Sequence, residues 1–232
     1  MKTETPEIQG GVNLARRSFL KYAGAGAAAM GVLAVSACHK DHTITPSNGG
    51  VDIGTGDIGI LNYAYALEQL EAAFYLQVAL TPYSGISDYE KKLLTDIRDH
   101  EVCHREFFKA ALGPKAIKAL TVDFSSIDFS SRDKVLAAAK AFEDTGVSAY
   151  DGAGYLIQST DYLTLAGKIV SVEARHAAYI RNLITPGDFA GNDQIDPTTG
   201  LNRALTIAQV LPIANTYLKT KVSASAYSYV AS

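Results

Sequence analysis

The chain has 232 residues, 47% of them apolar, which is enough for one domain with a full core plus appendages. A formal charge of −3, with lysine and arginine scattered rather than clustered, leaves no footprint for nucleic acid. Two cysteines and no tryptophan exclude a disulfide framework and a cysteine-rich zinc site.

Residues 1–38 read as an export signal. Arg16-Arg17-Ser18-Phe19-Leu20-Lys21 supplies a basic start, Tyr22 to Ala37 a short apolar middle rich in alanine and glycine. The paired arginines resemble a twin-arginine signal, although Ala15 stands where Ser or Thr is usual. Val35-Ser36-Ala37-Cys38 resembles a bacterial lipobox, which makes Cys38 the expected lipidated start of the mature protein and the anchor to a membrane. Plain cleavage after Ala37 is the simpler alternative. The expected location is the periplasmic side of the envelope. Residues 39–56 are rich in Thr, Ser, Asn, Asp and Gly and read as a flexible tether.

Four helices are predicted next. The first runs from about Ile58 to Leu80, capped by Asp57 and stopped before Pro82. Its apolar stripe of Leu61, Ala64, Tyr65, Ala72, Tyr75 and Leu76 carries Glu68 inward. The second opens on the capping box Ser87-x-x-Glu90 and ends at Gly113-Pro114. Leu94, Ile97, Glu101, His104 and Phe108 share its inner face. The third follows Ser130-x-x-Asp133 and continues to about Gln158. Gly146, Gly152 and Gly154 weaken it by roughly 1 kcal/mol each against alanine, which a close neighbour would explain. The fourth runs from about Tyr162 to Ile184, with Leu165, Ile169, Val172, Glu173, His176, Ile180 and Leu183 on one stripe.

Short gaps after the first and third helices, and a long one over 113–131, predict an all-α four-helix bundle of two antiparallel hairpins joined by a crossover. The bundle spans 57–186. Residues 187–232 are expected to cover it, with a helix over Leu201 to Lys219 interrupted at Pro212.

The informative words are Glu101-x-x-His104 and Glu173-x-x-His176. One Glu-x-x-His alone is common on a solvated helix face. Here each follows a lone glutamate at a similar distance: 33 residues from Glu68 to Glu101, and 30 from Glu143 to Glu173. Residues three apart on a helix lie about 60° apart around its axis, so each pair points into one place. Four buried carboxylates without counter-charge would each lose several kcal/mol of hydration. Two divalent cations cancel four glutamates, and two neutral imidazoles complete the set. Oxygen and imidazole ligands suit iron or manganese, with zinc a competitor on affinity.

Glu71 shares the face of Glu68 and is a further candidate ligand. Glu68 is preferred because Glu68…Tyr75 repeats the spacing of Glu143…Tyr150, whereas Gly146 stands where Glu71 would have its counterpart. Tyr75 and Tyr150 are read either as hydrogen-bond donors or redox participants near the metals, or as ordinary core tyrosines. Cys103 points off the ligand face and reads as a small buried residue. His100, one position off the stripe, is read as a surface residue or one touching a ligand from outside.

The segments Leu61-Asn62-Tyr63-Ala64-Tyr65-Ala66-Leu67-Glu68, His100-Glu101-x-x-His104, Phe142-Glu143-x-x-Gly146 and Val172-Glu173-Ala174-Arg175-His176 resemble the ferritin-like proteins labelled desiccation-related, over roughly residues 57–186. More distantly the chain is similar to rubrerythrin and bacterioferritin. The resemblance implies a ferritin-like bundle and a di-iron site on Glu68, Glu101, His104, Glu143, Glu173 and His176. It implies no settled activity. No rubredoxin-like Cys₄ module is present, so a peroxidase of the rubrerythrin type would need an outside electron donor. The expected function is that of a di-iron protein that oxidises ferrous iron or consumes O₂ or H₂O₂. A metal-stabilised envelope protein without turnover, and an iron-storing cage, are the alternatives. The oligomeric state is left open, a homodimer being one option.

Overall fold

A computed structural model of the chain describes residues 50–231. The signal segment, Cys38 and residues 39–49 of the tether lie outside the described residues. A two-residue strand, β1 (Val51–Asp52), precedes the helices α1 (Gly56–Leu80), α2 (Asp88–Leu112), α3 (Arg132–Ala153) and α4 (Thr160–Ile184). A shorter helix, α5 (Ile207–Asn215), and the strand β2 (Val222–Ser223) follow. The fold is all-α, with α1 packed mainly on α2 and α3 on α4. Among the described residues no helix is long and apolar enough to cross a membrane.

Helix starts are set by local chemistry. The Ser87 hydroxyl accepts the Glu90 amide and starts α2. Only half of the expected capping box forms, because the Glu90 carboxylate is taken by Tyr83 and by Arg132 from α3. Helix α3 is capped one residue later than the pattern suggests, by Ser131, and Ser159 caps α4. Asp57 is not the cap of α1. It lies in the first turn after Thr55, and its carboxylate accepts the amides of Gln158 and Ser159 instead. An acidic group there also suits the positive end of the helix dipole. Helix α3 ends at Ala153 and tightens into a 3₁₀ turn, Gly154–Leu156, short of the expected Gln158.

Helix α1 departs from a one-sided stripe. From Gly59 to Tyr75 it is buried almost all round, as a central core helix should be. The reason is that its outer face is covered rather than wetted. The crossover runs along it, with the Ile117 amide donating to Asn62 and the Leu120 amide to Gln69. Helix α5 packs on α1 and α3, so the C-terminal region does cover the bundle. Leu76, expected inside, is partly exposed near the end of α1.

Two further segments close this cover. Val51–Asp52 pairs in parallel with Val222–Ser223, so the last residues before α1 are tied to the C-terminal tail. Residues 187–206 lie against the α3/α4 hairpin through Arg181, which is 2% exposed and held by Asp144 of α3 and Asp193 of the loop. Pro212 sits inside the short helix α5. As the sixth of nine residues it has no amide with which to close the usual bond to the Ala208 carbonyl four residues back.

Candidate metal centre

Four elements bring six side chains to the middle of the bundle. Glu68 comes from α1, Glu101 and His104 from α2, Glu143 from α3, and Glu173 and His176 from α4. All four carboxylates are essentially fully buried, His176 nearly so, and His104 keeps 13% of its side chain open. Their ligand-type atoms form two groups, each within 4.8 Å: Glu68, Glu101, His104 and Glu173; and Glu101, Glu143, Glu173 and His176.

The atoms divide cleanly. His104 Nδ1 lies 3.5 Å from Glu68 Oε2, 3.7 Å from Glu101 Oε2 and 2.7 Å from Glu173 Oε1. His176 Nδ1 lies 2.8 Å from Glu101 Oε1, 3.5 Å from Glu143 Oε2 and 3.3 Å from Glu173 Oε2. Glu101 and Glu173 therefore give one oxygen to each group, while Glu68 and Glu143 each serve one. These eight atoms are buried and none has a partner in hydrogen-bond geometry. Buried polar atoms left so are rare in native proteins. Donors aimed at shared points rather than at one another are what a cation requires.

The remaining oxygens of the two outer glutamates are occupied. The Tyr75 hydroxyl donates to Glu143 Oε1 at 2.5 Å, and the Tyr150 hydroxyl donates to Glu68 Oε1. Each tyrosine thus steadies the glutamate of the opposite helix, cross-bracing α1 and α3. Burial, then the facing carboxylate, pushes both phenols well above their usual range, so they remain donors. Tyr75→Phe or Tyr150→Phe should lower metal affinity about 10- to 100-fold, as loss of an outer partner typically does. Calorimetric titration would test this; unchanged affinity in both variants would make the tyrosines mere packing.

Residues 56–186 match the ferritin-like domain. The chain belongs to the ferritin-like family. No curated protein matches it significantly. In this ferritin-like chain a buried cluster of carboxylate and imidazole, compatible with metal ions, sits where the helices converge.

Not every candidate joins it. The Glu71 carboxylate is outside both groups of converging atoms and occupies the hollow beside Gly146, where a side-chain Cβ would meet its Oε1 at 2.8 Å. Burial, reinforced by Glu101 and Glu173, drives its carboxyl well above the usual range, which favours a neutral acid. Gly146 is therefore explained by a side chain. Gly152 is explained by a loop rather than a helix, since a Cβ there would lie 1.9 Å from the carbonyl oxygen of Leu205. Cys103 is exposed, not buried, because α2 turns that face to solvent. Sequence reasoning left His100 undecided; its Nδ1 lies 2.9 Å from Nε2 of His176.

Without cations the cluster compensates with protons. Burial pushes Glu68 well up and Glu143 to about 8. Burial opposes charge on His176 as well, but Glu143 and the other carboxylates outweigh it and raise the imidazole to about 12; His104 moves up likewise. Burial also opposes ionisation of Glu101, yet contacts with both histidines bring it to about 2. Between roughly pH 4.5 and 8 the folded metal-free chain holds a proton on Glu143 that the unfolded chain has lost, so its stability falls as pH rises. His176 acts in the same sense above about 6.5. Glu101 acts oppositely, but only below about 4.5. Cations displace these protons and bind more tightly as pH rises. The melting-temperature gap between metal-loaded and metal-free protein should widen from pH 5 to 8. A constant gap in scanning calorimetry would contradict this account.

Proposed function

We propose that this ferritin-like chain is an exported protein that holds two iron ions between its helices and uses them to pass electrons from ferrous iron to O₂ or H₂O₂. The observation that carries the reading is the eight-atom donor set, in which Glu101 and Glu173 each offer an oxygen to both groups. Four glutamates balance two divalent cations, and the oxygen and imidazole donors suit iron or manganese better than a thiolate-rich structural zinc site does.

Bound iron would supply the one-electron chemistry, which no side chain here provides. The protein's own part is positioning and exclusion. Glu68, Glu101, His104, Glu143, Glu173 and His176 would hold the metal, with Glu101 and Glu173 each offering an oxygen to both groups, and Tyr75 and Tyr150 keep the outer carboxylates oriented. A second feature supports oxygen as a reactant. An almost entirely apolar pocket lined by Leu61, Ala64, Leu67, Phe108 and Ala149 reaches Tyr150, the residue bonded to Glu68. Such walls admit a small apolar molecule in preference to ions. Export and a lipid anchor at Cys38 are part of the proposal, supported by Arg16-Arg17 and the lipobox-like Val35 to Cys38.

Metal analysis of the export-processed protein, followed by mixing of the iron-loaded form with O₂ or H₂O₂, tests the reading. Two irons per chain and oxidant-dependent ferric absorbance are expected, with Glu143→Ala deficient in both. A folded chain that takes up no metal ends the proposal. Metal uptake that raises the melting point without consuming oxidant would leave a protective, non-catalytic envelope protein.

A further inference from the structure

His176 presents Nδ1 to the carboxylates and Nε2 to His100, which comes from α2 and is exposed on its other side. The two imidazole planes lie within 10° of each other, and their centroids are 5.1 Å apart. That separation is about what the 2.9 Å N···N distance and two ring radii make, so the rings meet edge to edge rather than face to face. Each nitrogen lone pair or N–H lies in its ring plane, so this is a well-aligned hydrogen bond. A lone pair on His176 Nδ1 directed at a cation leaves the hydrogen on Nε2, and His100 Nδ1 is then the acceptor.

His104 has no equivalent. Among the described residues nothing accepts from its Nε2, and its side chain stays partly open to solvent. The register explains the difference: His100 directly precedes Glu101, whereas Val172 directly precedes Glu173 and offers no nitrogen. The ligand words are repeated, but this neighbour is not.

We propose that His100 is a positioning residue for His176 and makes the two metal positions unequal, so that the group of Glu101, Glu143, Glu173 and His176 fills first. The inference rests on the metal-centre reading above. An imidazole whose outer N–H is tied to an acceptor is held in one tautomer and orientation and is a stronger donor to the metal, an effect typically about 10- to 100-fold in affinity.

Anaerobic titration of the mature full-length protein with cobalt(II), followed by visible absorption and calorimetry, tests it. The native protein should bind in two steps differing by about 10- to 100-fold. His100→Leu should weaken the first step by that factor and leave the second in place. His100→Asn, whose Oδ1 stands as many bonds from the backbone as Nδ1, should restore the first step. Glu68→Gln should retain the tighter step and Glu143→Gln the weaker one. Two cobalt ions bound with equal affinity, or binding by His100→Leu indistinguishable from native, overturns the role of His100 while the metal centre stands. No cobalt bound by the native protein overturns the metal centre and this inference together.

Discussion

Glu173→Gln should weaken both metal positions, whereas Glu68→Gln should weaken only one. Glu173 gives Oε1 to the group around His104 and Oε2 to the group around His176. Glu68 offers only Oε2, because Tyr150 holds its other oxygen. Glutamine keeps the volume, so no cavity term enters. The affinity loss should be at least about 100-fold at each position, since removing even an outer partner costs 10- to 100-fold. The metal-induced gain, about 2.7 kcal/mol at a free metal concentration one hundred times Kd, should disappear. Equilibrium dialysis with metal counting, together with melting curves, reads both effects. Retention of one tightly bound ion by Glu173→Gln would show that the carboxylate does not serve both positions.

Gly152→Ala should destabilise the fold by about 1–3 kcal/mol, the usual cost of overpacking. In most helices this substitution gains about 1 kcal/mol, so the sign is the test. A Cβ at Gly152 would meet the Leu205 carbonyl oxygen at 1.9 Å and its carbon at 2.5 Å. Both are backbone atoms, and the Leu205 amide is tied to the Ser148 carbonyl at 2.9 Å. Neither rotamer change nor a small tilt relieves that contact, so the 187–206 segment must lift from α3. Gly167, exposed on α4 with open space where a Cβ would go, is the control and should gain up to about 1 kcal/mol as alanine. Urea denaturation of both variants decides the matter. Equal stabilisation of the two would mean that the C-terminal cover is not docked on α3.

What could be read in advance follows from the range of each interaction. A Glu and a His three residues apart share a face whatever surrounds the helix, so the six residues brought together are the six that spacing singled out. The Glu68…Tyr75 and Glu143…Tyr150 spacings were visible as well, but not their pairing. Each tyrosine reaches the glutamate of the other helix, which depends on how α1 and α3 cross. Glu71 shows the same limit. Its helical face matched that of Glu68, yet the carboxylate rests in the hollow beside Gly146. His100 carried no repeated signal to set it apart from a surface residue.

By itself, the sequence determined four helices, their order as two hairpins, and the set of carboxylates and imidazoles that face inward. These depend on periodicity, caps and short loops, all settled within a few turns of chain. Only the tertiary structure decided that Asp57 serves the amides of Gln158 and Ser159, that residue 51 pairs with residue 222, and that α1 is buried almost all round from Gly59 to Tyr75. Those contacts join positions far apart in the chain, where no local pattern specifies the partner. They form because unpaired backbone groups and exposed apolar surface must be satisfied by whatever the folded chain brings near.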